Sequence, residues 1–225
     1  MIDLADVVDL IVFDFDGTIC ESANVKTDAF FQLYLDEQGE GFATAVRDYH
    51  LEFAGVSRYE KIRYVEEQML GRPCSDERMN LVADRFGDIV RDKVIVSALI
   101  PGVASFFEQY GGAVPMLVAS ATPTAELREI TKARGIESWF DEVEGSPTLK
   151  GDIIKGFLAH RGVNRERAVM VGDQFSDLDA AQTAGTMFVG YRPAHEERLF
   201  DETIVVIDHF DRLADAVLAV ASGRS

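Results

Sequence analysis

The chain has 225 residues, 47% of them apolar, with two cysteines and a formal charge of −17. That length fits one large domain or a domain carrying an inserted smaller one, and the apolar content excludes a disordered class. The charge excludes nucleic acid and anionic membranes as partners, because both are bound through basic patches.

Other classes fall on simpler grounds. No apolar run of about 18 residues is free of charge, so a transmembrane helix is excluded. Two cysteines are too few for a disulfide framework or a zinc site. The start, Met1-Ile2-Asp3-Leu4-Ala5-Asp6, is acidic and lacks the basic region of a signal peptide, so a soluble, cytoplasmic protein is expected. A small anionic substrate stays open, since it needs only a few local cations and a bound metal.

The first predicted element is a buried parallel strand at Leu10 to Phe13, read from its continuous apolar run. It stops at Asp14-Phe15-Asp16-Gly17-Thr18. Two carboxylates about 4 Å apart repel by roughly 4 kcal/mol at an effective dielectric near 20, so a cation is expected beside them. A plain Asp-Gly turn is the alternative. Residues 23 to 95 then read as amphipathic helices, with Phe30, Leu33 and Tyr34 in one and Leu81, Val82, Phe86, Ile89 and Val90 in another. Ser57-Arg58-Tyr59-Glu60 fits a capping box, and Gly71-Arg72-Pro73 stops the helix it opens.

From about residue 100 strands and helices alternate. Strands are predicted at Val114 to Ala119, near Trp139 to Val143, and at Ala168 to Val171, Thr186 to Val189 and Ile204 to Ile207. Helices are predicted at Pro123 to Arg134, Leu149 to His160, Ser176 to Ala184 and Phe210 to Ala221, with Thr122 and Thr148 as caps. The alternation predicts an α/β fold with a doubly wound parallel sheet. Its expected division is a core of 1–22 and 96–225 and a helical cap of 23–95 over the carboxyl edge of the sheet.

Three more strand ends carry chemistry. Ser120 precedes a helix N-terminus, where free N–H groups favour an anion. Lys150 in a first helical turn opposes the helix dipole, a cost that an acidic cluster or anionic ligand would offset. Asp173 follows Val169-Met170-Val171-Gly172 as Asp14 follows the first strand, and Asp177 comes four residues later. Asp14 and Asp173 are the hard oxygen ligands that Mg²⁺ prefers. Each residue alone could be a cap or a solvated side chain.

Together, in this order, they resemble the four motifs of the haloacid dehalogenase (HAD) superfamily: Asp14-Phe15-Asp16-Gly17-Thr18, Ser120, Lys150, and Gly172-Asp173 with Asp177. The resemblance covers almost the whole chain and implies a Rossmann-like core. It implies that Asp14 is the nucleophile that forms an aspartyl-phosphate and Asp16 the acid and base. It further implies Mg²⁺ held by Asp14, the Asp16 carbonyl and Asp173, phosphoryl oxygens held by Ser120 and Lys150, and Asp177 behind Lys150 or the metal. An intact Asp16 points away from dehalogenases, since an alkoxide leaving group needs a proton and a halide does not.

The expected activity is hydrolysis of a small phosphate monoester, a sugar phosphate or a phosphoglycolate-like compound. A mutase resembling β-phosphoglucomutase and a catalytically silent binding protein of the same fold are the alternatives. Substrate choice is expected in the cap, where Lys26, Arg58 and Lys61 face the cleft. The competing expectation pairs these cations with Glu60, Glu66 and Glu67 on a solvated face. Oligomeric state is not legible, and the four histidines show no metal-ligand spacing.

Overall fold

The computed structural model describes residues 3–197 and 199–223. Its six strands are β1 (Leu10–Phe13), β2 (Met116–Pro123), β3 (Glu142–Ser146), β4 (Ala168–Gly172), β5 (Met187–Tyr191) and β6 (Val206–Ile207). They form one sheet in the order β3-β2-β1-β4-β5-β6, with every pairing parallel.

The central strand explains its own composition. Leu10 and Val12 point to one face, packed with Ile153, Ile154 and Phe157 of α7 (Lys150–Arg161) and Ala180 and Ala181 of α8 (Phe175–Ala184). Ile11 and Phe13 point to the other, with Phe106 and Phe107 of α5 (Val103–Tyr110) and Leu127 and Ile130 of α6 (Thr124–Ala133). Val217 of α9 (Leu213–Ala221) joins that face. A strand covered on both faces has no polar side, so four apolar residues run together. The strand order reverses at β1, with β2 and β3 on one side and β4 to β6 on the other. A crevice at such a point, beyond the carboxyl ends, is where open α/β sheets bind ligands.

Between β1 and α5 the chain forms α1 (Ala23–Gln38), α2 (Glu40–Glu52), α3 (Arg58–Tyr64) and α4 (Asp76–Val96). Phe30, Leu33, Tyr34, Ile62, Phe86 and Val90 are buried among them. A π turn, Val65–Met69, follows α3 and carries Glu66, fully buried. Arg72 Nε donates to Glu66 at 2.5 Å and Arg78 Nη2 at 3.1 Å, so this buried carboxylate is paired. At the return, Arg134 donates to the carbonyls of Val94 (2.6 Å), Ile95 (2.7 Å) and Ser97 (2.8 Å). Val94 O also accepts from Ser97 N–H at 3.3 Å and Ser97 Oγ at 2.9 Å. The arginine that follows α6 adds a donor to each of these carbonyls at the end of α4.

Several local expectations need correction. β2 runs on to Pro123, because Ser120 pairs with Gly145 and Pro123 with Ser146 across a register shift. Thr122 therefore caps nothing, and α6 opens at Thr124 with Pro123 in the cap position. Thr148 is no cap either: Leu149 holds that place with extended backbone and no side-chain bond. The Ser57 hydroxyl accepts from Tyr59 N–H, at 3.3 Å, rather than closing a box with Glu60. α5 has no counterpart among the predicted elements. β3 lies three residues later than expected, because Glu137–Trp139 forms a 3-10 turn.

Candidate active site

Asp14 leaves β1 into the crevice, 3% exposed, its N–H bonded to Val171 O at 2.9 Å. The chain then folds back on itself, with Cys20 N–H donating to Phe15 O and Gly17 N–H to Cys20 O. Gly17 has φ +84°, and a Cβ there would stand 2.5 Å from Asp173 Oδ2. Only glycine permits both that backbone and that approach.

Lys150, at the start of α7, crosses under the crevice. Its Nζ lies 2.6 Å from Asp177 Oδ1 and 2.9 Å from Asp14 Oδ1. The second contact lacks hydrogen-bond geometry, so Asp14 Oδ1 is a buried oxygen without a hydrogen bond. Asp177 is fully engaged, since its Oδ2 also accepts from Gln174 N–H at 3.0 Å. Asp173 accepts from Thr18 Oγ1 at 3.1 Å and from Gln174 Nε2 at 2.6 Å. Ser120, 1% exposed, accepts from Thr122 N–H at 3.1 Å, which leaves its own proton free for a ligand.

The electrostatics follow from burial. Desolvation raises the Asp14 carboxyl well above the usual range, Lys150 opposes this, and the charges of Asp177, Asp173 and Asp16 add to it. Asp173 is pushed up to about 7 by burial and by Asp177. Lys150 is raised: burial alone would lower it, but Asp14 and Asp177 prevail. Asp16 behaves oppositely. Burial would raise it, yet Lys26 and hydrogen bonds from Lys26, Ser22 and Thr122 hold it below its ordinary value.

A family model described as haloacid dehalogenase-like hydrolase matches residues 8–185. The chain belongs to that family. A phosphoglycolate phosphatase of Mesorhizobium japonicum is 26% identical over 215 residues, covering 91% of this chain and 92% of its own. A protein named tyrosine-protein kinase PtkA, of Mycobacterium tuberculosis, is 26% identical over 219 residues, covering 92% and 72%. A mutant of CbbY from Rhodobacter sphaeroides, in complex with xylulose-1,5-bisphosphate, superposes with a TM-score of 0.72. It is 22% identical, covers 92% of this chain and 96% of that one, and shows the shared fold. This HAD-like hydrolase is an enzyme of that family.

The hydrolase's donor set fits a hard divalent cation. One oxygen each from Asp14, Asp173 and Asp177 lies within 4.8 Å of the others. Lys150 is the one cation in direct contact with that trio among the described residues, so negative charge is in excess. Oxygen donors, crowded carboxylates and the unbonded Asp14 Oδ1 together match Mg²⁺ chemistry.

The structure brings the three cap cations to the same cavity. Its volume is about 50 Å³, and its lining includes Asp14, Asp16, Ser120, Lys150, Lys26, Arg58 and Lys61. The expected pairing with Glu60, Glu66 and Glu67 is absent for these three, although the exposed Arg63 does meet Glu67 at 3.5 Å. Lys26 binds Asp16 and lies 2.5 Å from Thr122 Oγ1. Arg58 reaches Glu126 of α6 at 2.7 Å and stacks over Phe86.

Sequence reasoning missed three residues that shape the site, and it gave Thr18, the last residue of the first motif, no role although its hydroxyl donates to Asp173. Ser22 and Gln174 flank the motifs and carried no pattern of their own. His50 is buried on α2 and borders both the cavity and a wider cleft of about 700 Å³. Its signal was faint: one histidine on an apolar helix face, facing a lysine eleven residues on.

Proposed function

We propose that this hydrolase cleaves a small phosphate monoester with Mg²⁺, through an aspartyl-phosphate on Asp14. One observation carries the reading: three of the strand-end motifs line one cavity, and Asp173 and Asp177 of the fourth bring carboxylate oxygens within 4.8 Å of Asp14, whose buried Oδ1 is free of hydrogen bonds. Asp14 attacks phosphorus, splitting one displacement into two easier ones. Ser120 and Lys150 hold the phosphoryl oxygens, and Asp177 holds Lys150. Asp14, Asp173 and the Asp16 carbonyl would hold Mg²⁺, which when bound screens the charge between nucleophile and phosphoryl group. Positioning and electrostatics then supply most of the acceleration.

Asp16 has two tasks. Held ionised by Lys26, it is ready to take a proton from the water that hydrolyses the intermediate. Before it can protonate the leaving oxygen, Lys26 must withdraw, since its Nζ occupies the place of the proton. The cap of residues 23–95, set over a core of 1–22 and 96–225, contacts the leaving group through Lys26, Arg58 and Lys61. The substrate is a small phosphorylated metabolite, a sugar phosphate or phosphoglycolate-like ester, met in the cytoplasm. No helix among the described residues is long and apolar enough to cross a membrane.

The test is phosphate release from a panel of small monoesters with and without Mg²⁺. Turnover that requires the metal is expected, and no turnover at any divalent-metal concentration would overturn the reading.

Metal binding should also depend on pH. A carboxyl raised in the fold, as Asp173 is, contributes stability that is present below its unfolded value and lost as pH rises through about 7. Mg²⁺ binds the ionised form, so it should raise the melting temperature more at about pH 8 than at about pH 5.5. Scanning calorimetry with and without metal checks this, and an equal shift at both values contradicts it.

A further inference from the structure

Three neighbours hold the Asp173 carboxylate, which is 5% exposed. Thr18 Oγ1 donates to Oδ1 at 3.1 Å, and Gln174 Nε2 donates to Oδ2 at 2.6 Å. Gly17 covers one face: a Cβ there would stand 2.5 Å from Oδ2, 2.8 Å from Cγ and 3.0 Å from Oδ1. The two oxygens are therefore not equivalent. A hydroxyl-to-oxygen bond is ordinarily about 2.7–2.8 Å long, so Thr18 holds Oδ1 loosely. Oδ2 has both the shorter bond and the closer approach of Gly17. The freer oxygen is Oδ1.

Gln174 can hold Oδ2 because its own backbone is fixed. Its N–H donates to Asp177 Oδ2 at 3.0 Å. Its carbonyl accepts from the N–H groups of Asp177 at 3.0 Å and Leu178 at 3.4 Å, as α8 begins. Asp177 is tied in turn to Lys150 at 2.6 Å. One residue thus touches two members of the acidic trio, Asp177 through its main chain and Asp173 through its amide. An ionised carboxylate accepts and does not donate, so the amide presents its NH₂ group to Asp173. The amide is also neutral. It fixes one oxygen without adding a charge that would compete with a cation.

Cations differ in how they use such a carboxylate. Mg²⁺ demands near-octahedral geometry at about 2.0–2.1 Å, which one oxygen per carboxylate satisfies. Ca²⁺ takes roughly six to eight oxygens at about 2.3–2.6 Å and often grips both oxygens of one carboxylate. A carboxylate with Oδ2 already committed suits the first ion and handicaps the second.

We propose that Gln174 sets the metal selectivity of the site. By holding Oδ2 it makes Asp173 a one-oxygen ligand through Oδ1, and Mg²⁺ is favoured over Ca²⁺. Gln174 is a positioning residue, since it acts through Asp173. The inference rests on the reading of Asp14 and Asp173 as Mg²⁺ ligands and adds what decides between cations there.

The test is calorimetric titration of the metal-free full chain with MgCl₂ and, separately, with CaCl₂. Wild type is compared with Gln174→Met. Methionine keeps the length and flexibility of the side chain and removes the donor. Gln174 is only partly buried, so the variant should fold. A melting curve in EDTA verifies that, and Gln174→Ala takes its place if it does not.

The wild type should bind Mg²⁺ more tightly than Ca²⁺. In Gln174→Met the Mg²⁺ affinity should fall by about 10–100-fold, the usual effect of losing a group that orients a metal ligand. The Ca²⁺ affinity should stay within about threefold or rise, because Oδ2 becomes available to it. A wild type that prefers Ca²⁺ would overturn the proposal, as would an unchanged Mg²⁺ affinity in the variant. So would an equal fall for both cations, which is what a merely structural role produces. If the wild type binds neither cation, the Mg²⁺ reading of the site falls and takes this proposal with it. An unaltered preference for Mg²⁺ in the variant rejects the role of Gln174 alone and leaves that reading standing.

Discussion

Asp14→Asn should abolish ester hydrolysis while leaving the metal-free protein as stable as wild type or more so at about pH 8. A carboxamide occupies the same space but is no nucleophile, and removal of a covalent nucleophile acts on the order of 10⁶-fold in kcat. Stability should move the other way for a physical reason. Burial and the neighbouring carboxylates raise the Asp14 carboxyl, so its ionised form opposes folding once pH exceeds its unfolded value. The neutral amide removes that opposition, and Lys150 keeps its 2.6 Å partner Asp177. Released phosphate, acid-stable phosphoryl label on the protein and calorimetry together check the prediction. Residual turnover near wild type would mean that Asp14 does not attack phosphorus. A large fall in melting temperature would mean that lost activity reports unfolding, not chemistry.

How much was legible in the sequence differs between the two layers of the molecule. The sheet could be read because β1 and β4 are buried on both faces and so show unbroken apolar runs ending in Gly-Asp or Asp. Those ends fall on the crevice by topology alone, which is why Asp14, Ser120, Lys150 and Asp173 could be placed together from their order. Boundaries were weaker where tertiary contacts override local propensity. Thr122 looks like a cap, yet Asp16 and Lys26 draw its hydroxyl into the site while β2 continues past it.

The cap residues were the least readable. Charge spacing put Arg58 and Lys61 on one helical face, but it could not give either a partner. That depended on where α2 and α6 bring His50 and Glu126, residues 11 and 68 positions away. A three-residue spacing identifies a face. Whether a cation on that face is neutralised is decided by packing, and here the outcome differs between two residues of one turn.

Lys150→Met should be the most destabilising single change in the crevice. Breaking a buried ion pair by removing one partner costs about 3–5 kcal/mol, because the other charge is left uncompensated. For a chain of this size that is roughly 10 °C in melting temperature. Asp14, Asp173 and Asp177, crowded within 4.8 Å, would then face one another with no cation in direct contact among the described residues. The carboxylates can escape by taking up protons. The loss should therefore be largest above about pH 7 and shrink as pH falls and the raised carboxyls become neutral.

Mg²⁺ should recover part of the stability of Lys150→Met at high pH, since it replaces the missing positive charge. It should not recover activity, because one donor to the developing charge on the phosphoryl oxygens is gone, a loss of about 10²–10³-fold in kcat. Melting curves at two pH values, each with and without metal, separate these effects. If Lys150→Met melted like wild type at high pH without metal, the three carboxylates could not be sharing one buried field. In that event the charge argument for a metal among them would lose its basis.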